Sequence, residues 1–150
     1  MSLTPPSSRA LGRRAFTLVE VVTVATIIGL VTFVGIGGIR HFLDRIATRD
    51  AVRAAGGAIA RARDEAIASR TLVSVRIDTV AATLTLVAGG TAFGEVALRE
   101  VHGVSISSNR DSITLDARGL GLGAANLTFV AQRGAAADTL VVSRLGRVRY

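Results

Sequence analysis

Arg13-Arg14-Ala15-Phe16-Thr17-Leu18-Val19-Glu20 opens the stretch on which the fold turns, because it joins a cluster of cations to an apolar run that continues to Ile39. Between Phe16 and Ile39 the polar interruptions are Thr17, Glu20, Thr23, Thr26 and Thr32, with a few glycines. A helix rises about 1.5 Å per residue, so this run is long enough to cross the roughly 30 Å hydrocarbon core of a bilayer. It is also longer than the roughly 7 to 15 apolar residues of an ordinary secretory signal. Arg9, Arg13 and Arg14 precede it, and the positive-inside rule then predicts a cytoplasmic N-terminus with everything after Arg40 on the far side.

Glu20 is the residue that this reading must explain. A carboxylate within a membrane helix costs on the order of 2.5 to 3.5 kcal/mol even on lenient insertion scales, so it needs a partner or an escape to water. One explanation is local: near the helix start the side chain reaches the headgroups and gains from the positive end of the helix dipole. The other is functional, since intramembrane acids generally mark a working site.

With 150 residues, and the membrane run near one end, there is room for one further domain of roughly 100 residues. The chain has no cysteine, which removes disulfides, thiolate metal sites and thiol nucleophiles. Every basic residue is arginine, and the net charge of +7 is unevenly placed. Residues 16–117 hold ten arginines against ten acids, whereas Arg118, Arg133, Arg144, Arg147 and Arg149 face only Asp138. Such an asymmetry suits an anionic partner, and a solvated strand face would give the same count.

Beyond the membrane run the helix is predicted to continue over residues 40–70, where Phe42, Leu43, Ile46, Val52, Ile59, Ala62, Ala66 and Ile67 recur at helical spacing. Gly35, Gly37-Gly38 and Gly56-Gly57 are candidate bends, each costing roughly 1 kcal/mol against alanine. After Arg70 the period changes to alternation, with strand-like runs at 72–77, 83–87, 95–101, 104–107, 112–115, 127–130, 139–142 and 147–150. Glycine and asparagine turn signals separate them. One long helix followed only by short strands predicts an α+β fold, with antiparallel sheet packed on the outer half of the helix. The expected organisation is a basic leader at 1–15, a membrane helix at 16–39, its amphipathic continuation at 40–70 and a β-rich domain at 71–150.

The octapeptide resembles the leader motif of type IV prepilins and type II secretion pseudopilins: basic residues, a small residue, Phe-Thr-Leu, and a glutamate at the fifth mature position. That resemblance implies a pilin-like fold, cleavage between Ala15 and Phe16 by a prepilin peptidase, and methylation of the new amine of Phe16. It also implies that Glu20 is an assembly residue, pairing with the terminal amine of an adjacent subunit. The family usually has glycine before the cut, where this chain has Ala15. Ala62-Arg63-Asp64-Glu65-Ala66-Ile67, Arg118-Gly119, Arg133-Gly134 and Leu145-Gly146-Arg147-Val148-Arg149-Tyr150 are similar to the GspH/FimT branch of minor pseudopilins and minor pilins. The implied setting is a bacterial inner membrane, single-pass, with a periplasmic domain. Its implied partners are other pilins or pseudopilins, with a secreted substrate or an outer-membrane channel as further contacts. No cofactor or metal is implied.

Enzymatic readings find little support. Asp64 and Glu65 are adjacent on a helix and point in different directions, while His41 and His102 belong to no nucleophile or metal pattern. Gly119-Leu120-Gly121-Leu122-Gly123 leads into a strand-like run instead of a helix, so it is expected to be a flexible turn and not a phosphate loop. Residues two apart share a strand face, which would project Arg147 and Arg149 together with Val148 turned to the core. Gly146-Arg147-Val148-Arg149 is similar to the Gly-Arg-x-Arg element through which FimT-type minor pilins contact DNA; Arg147 and Arg149, with nearby Arg144, are the candidate DNA-binding residues. Arginines on an edge strand also keep that edge from pairing with other chains.

Overall fold

The computed structural model describes residues 16–123 and 126–150, with residues 34–37 described by their backbone alone. Helix α1 runs Leu18–Ser69, 52 residues. The chain divides into two compact units, residues 1–37 and 38–150. In the first unit the helix is apolar enough to span a membrane and exposes its large side chains, Leu18, Val19, Ile28 and Phe33 among them. Thr23, Thr26 and Thr32 return their hydroxyls to the carbonyls of Val19, Val22 and Ile28, so none is left unpaired in an apolar setting.

In the second unit the helix buries one stripe against two antiparallel sheets. Of the eight residues expected to recur at helical spacing, Val52, Ile59, Ala62 and Ala66 lie on that stripe and the other four do not. Thr48, Ala51, Val52, Ala55, Ala58, Ile59, Ala62 and Ala66 are buried, whereas Phe42, Leu43, Ile46 and Ile67 are exposed. Apart from Thr48, Val52 and Ile59 the seam is made of alanines, which pack with the inward residues of both sheets.

After the helix come β1 (Val73–Asp78), β2 (Thr83–Ala88), β3 (Thr91–Ala97), a short helix α2 (Leu98–His102), β4 (Ser105–Ser108) and β5 (Ser112–Leu115). They are followed by β6 (Gly121–Leu122), β7 (Leu127–Arg133), β8 (Ala136–Val142) and β9 (Val148–Arg149). One sheet has the order β3-β2-β1-β5-β6, the other β4-β7-β8-β9. Inward residues of both sheets, including Val73, Val75, Leu84, Leu86, Leu115, Phe129 and Leu140, join the alanine stripe in one core. The α+β expectation therefore holds, with two corrections. Residues 95–101 are not one strand: β3 ends at Ala97, and Leu98–His102 make a helical turn closed by Gly103 in the left-handed conformation, its N–H donating to the Arg99 carbonyl. The glycine-rich segment is not simply a turn either, because Gly121–Leu122 pair with β5 as an edge strand.

Turns sort to two ends. Val73 pairs with Ala88 and Leu115, and Leu127 pairs with Val142, which sets the β2–β3 turn and the 116–120 and 143–147 loops at the end where α1 stops. The β7–β8 turn lies at the other end, where the Arg133 Nε meets Asp44 Oδ1 on α1 at 3.0 Å. Arg133 also donates through Nη1 to the His102 carbonyl at 2.9 Å, while the Leu98 N–H donates to the Ala82 carbonyl after β1. One guanidinium and one backbone bond thus tie α2 to α1 and to both sheets.

Candidate functional site

Two regions carry the sequence-predicted site residues, one in each unit. The first is the start of α1. Ala15, on one side of the expected cleavage point, lies outside the described residues; Phe16 is exposed just ahead of the helix. Thr17 is the N-cap. Its Oγ1 accepts the Glu20 N–H at 3.2 Å, and its carbonyl accepts the N–H groups of Glu20 and Val21 at 3.1 and 3.2 Å. Thr17-Leu18-Val19-Glu20 is therefore the Thr-x-x-Glu signature of a helix start, with Glu20 at the third helical position where an acid complements the dipole. That signal stands in the sequence, and reading Thr17 only as an interruption of the apolar run missed it. The cap ends the helix just after Phe16, and the exposed Glu20 carboxylate lies within one turn of that residue.

The second region is the hairpin between β8 and β9. The Ser143 N–H donates to the Arg147 carbonyl at 2.8 Å, the Gly146 N–H donates to the Ser143 carbonyl at 2.9 Å, and the Arg147 N–H donates to Ser143 Oγ at 3.2 Å. Arg149 lies opposite Val141 on the sheet edge, and Val148 is half-buried against the core. Arg147 and Arg149 are exposed, as the alternation predicts, and Arg144 is exposed in the turn. None of the three makes an ion pair among the described residues.

Gly146 explains why the turn sits where it does. It has φ +69, and a Cβ there would stand 2.7 Å from the Gly119 carbonyl oxygen. Gly119 has φ +73, and a Cβ on it would clash with Arg63 and Ile67 of α1. Two glycines stacked on the helix thus bring the loop of Arg118 and the hairpin of Arg144 and Arg147 together, and the Gly121 N–H donates to the Arg144 carbonyl at 3.0 Å across the two sheets. Arg63, Arg110 and Arg118 join the neighbourhood from three other elements, with the Arg110 guanidinium beside Gly123. No linear signal marks Arg63 or Arg110, since only tertiary packing brings them there.

Asp116 holds the 116–120 loop. Its Oδ1 accepts the N–H groups of Leu120 and Arg118, each at 2.9 Å. The Leu120 N–H does most to lower its pKa below the ordinary 3.8; partial desolvation opposes this, and the Arg118 N–H and charge reinforce it. On the flank of α1 a cleft of about 220 Å³ is lined by Arg49, Arg53, Asp138 and Tyr150. The Tyr150 hydroxyl lies where a Cβ on Gly56 would be. Among the described residues no three His, Asp or Glu side chains group as a metal site; His41 is exposed, and His102 lies in α2, not in a strand.

No protein-family model and no curated protein sequence matches the chain. Solved structures do. The type IV minor pilin FimU of Pseudomonas aeruginosa aligns with a TM-score of 0.60 and 18% identity, over 72% of this chain and 90% of FimU. The minor pseudopilin EpsH from the Type 2 Secretion System of Vibrio cholerae aligns with a TM-score of 0.56 and 16% identity, over 68% of this chain and 94% of EpsH. The fold is pilin-like. At such identities the likeness is one of architecture, a long N-terminal helix packed on antiparallel sheet, and the residues at both candidate sites stand on their own chemistry.

Proposed function

We propose that the chain is a minor pseudopilin of the GspH type, a structural subunit of a type II secretion pseudopilus. The observation that carries this is the start of α1: an apolar, membrane-length helix with one acid, one turn after an expected cleavage point, on a pilin-like domain. A prepilin peptidase cuts between Ala15 and Phe16 and methylates Phe16, leaving a cationic amine on an apolar helix. In the inner membrane that amine and the Glu20 carboxylate of a neighbouring subunit neutralise one another. Each would be costly in the membrane alone, so pairing sets the register of the two helices. The domain is periplasmic, touches other pseudopilins and the secreted substrate or channel, and performs no catalysis.

The test is Glu20→Val. The expected outcome is a precursor that inserts and is trimmed normally, shown by mass spectrometry of the membrane fraction, yet is missing from sheared filaments. Normal recruitment would refute the pairing.

A second reading rests on the hairpin. Arg144, Arg147 and Arg149 are exposed and free of ion pairs among the described residues, and Arg63 and Arg118 lie beside the loops that carry them. Guanidinium groups so placed suit phosphate, which supports a FimT-like minor pilin that binds DNA during natural transformation. Gel retardation by the full chain in detergent should then fall steeply with salt and vanish in Arg147→Glu/Arg149→Glu. Absence of retardation at low salt removes this reading.

A further inference from the structure

We propose that the free edge of β4, with the arginine-lined cleft at its start, takes up an extended acidic segment of a partner protein as an added strand. This surface lies wholly within residues 38–150 and does not depend on where the apolar run is placed. β4 ends its sheet: β7 flanks it on one side, and among the described residues no strand flanks it on the other. In an antiparallel pair every second residue turns its N–H and C=O away from the partner strand, so the outer side of β4 presents unpaired backbone groups. The other sheet edges are guarded. β6 and β9 are two residues long, and Arg149 stands on β9. On β3, Leu86 opposes Gly94 and Val87 opposes Ala92, so Phe93 is an extra, bulged residue, and Glu95 adds a charge. β4 has no such protection: its four residues, Ser105-Ile106-Ser107-Ser108, include no charge and no proline, and they pair with β7 without a break in register.

The cleft supplies the partner's charge. Ser105 pairs with Gln132 and both are exposed, while the next pair, Ile106 and Ala131, is buried, so the first pair faces away from the core. On that face Arg99 of α2, Ser105, Gln132 and Arg133 are among the residues lining a cleft of about 370 Å³, and no acid lines it. Part of its polar surface is already committed. Arg133 meets Asp44 Oδ1 through Nε at 3.0 Å and donates to the His102 carbonyl through Nη1 at 2.9 Å, and Ser105 Oγ donates to the Gln132 carbonyl at 3.3 Å. Arg99 is exposed and makes no ion pair among the described residues, which leaves its guanidinium for a ligand. A strand laid along β4 sets alternate side chains over this outward face. A carboxylate at the position beside Ser105 then lies over the cleft with Arg99, and the side chains between such positions continue the apolar face begun by Ile106. Backbone bonds to the β4 edge would give affinity, and the charge-assisted bond to Arg99 would fix register.

The probes are two synthetic octapeptides that alternate valine with threonine, with glutamate in place of the threonine nearest the N-terminus in one and nearest the C-terminus in the other, so that both parallel and antiparallel addition are sampled. Each is titrated by fluorescence anisotropy against the full chain in neutral detergent micelles, with empty micelles as the blank, and amide hydrogen exchange of the complex is followed by mass spectrometry. The expected result is that one peptide binds and slows exchange within residues 104–108, and that its affinity falls at least about fivefold when glutamine replaces its glutamate or when the protein carries Arg99→Glu. Ser107→Arg, which puts a charge on the edge at an exposed position, should abolish uptake while the circular dichroism of the domain is unchanged. Binding without protection of residues 104–108 reduces the cleft to a charge trap and overturns strand addition. Equal affinity for the glutamine peptide overturns the acidic partner, and protection confined to β3 overturns the choice of edge. Protection of residues 104–108 that grows with protein concentration in the absence of peptide would give the edge to a second copy and also overturn the proposal, as would the failure of both peptides to bind at millimolar concentration.

Discussion

Replacing Gly146 by alanine tests whether the arginine hairpin is held by glycine stacking or merely ends there. Two costs act together. With φ +69, any residue bearing a Cβ pays roughly 1 to 2 kcal/mol for the left-handed conformation. The new Cβ also stands 2.7 Å from the Gly119 oxygen, a backbone atom that can give way only if its loop shifts. Overpacking of this kind costs roughly 1 to 3 kcal/mol. Against these, the stiffer unfolded chain returns about 0.4 to 1 kcal/mol. The expected net loss is about 2 to 3 kcal/mol, measured by denaturant unfolding of the domain by circular dichroism with the full chain in micelles. Gly90→Ala supplies the comparison, since Gly90 has φ +87 but open space around its Cβ position. It should lose at least about 1 kcal/mol less than Gly146→Ala. Equal losses at the two positions would show that the Gly119 contact contributes nothing and would refute the stacking argument.

Two further outcomes are expected. Gly57→Ala, with nothing within 4 Å of the new Cβ on an exposed helical face, should stabilise the domain by roughly 0.5 to 1 kcal/mol, whereas Gly56→Ala, one residue earlier, must displace the Tyr150 ring and should gain less; thermal unfolding of the pair decides it. Asp116→Asn keeps an acceptor but removes the charge whose folded pKa is lowered, so the wild type should be the more stable above pH 3.8 and its advantage should fade as pH falls through the lower folded value, read from unfolding midpoints across pH 7 to pH 2.

Much of the architecture could be read from the residues. The membrane run, the helix beyond it and most of the strands follow from period and turn chemistry, and β5 falls on the expected residues 112–115. The failures have physical causes. Alternation through Glu95–Val101 hid α2, yet Gly103 after His102 was a stop signal, and Leu98 needed burial beside Ala82 rather than a strand partner. On α1 the expected Val52, Ile59, Ala62 and Ala66 are buried, but Phe42, Leu43, Ile46 and Ile67 are exposed, because hydropathy weights large residues above the alanines that make up most of the seam. At the sites, Thr17 was legible as half of a capping box, and the exposure of Arg147 and Arg149 around half-buried Val148 agrees with alternation, although Arg147 lies in the turn just before β9. Arg63 and Arg110 were not legible, since they come from distant segments to meet loops that glycine brings together.

The two ends of the domain solve different problems with the same economy of means. At the far end, left-handed glycines leave room for the 116–120 and 143–147 loops to meet beside α1, and Arg118, Arg144 and Arg147 are exposed on those loops. At the near end, a single guanidinium on Arg133 binds a carboxylate and a helix-terminal carbonyl together, so that α2 is fixed relative to the point where the chain leaves the apolar run. Between the two ends an alanine-rich seam, from Thr48 to Ala66, buries one face of α1 against both sheets.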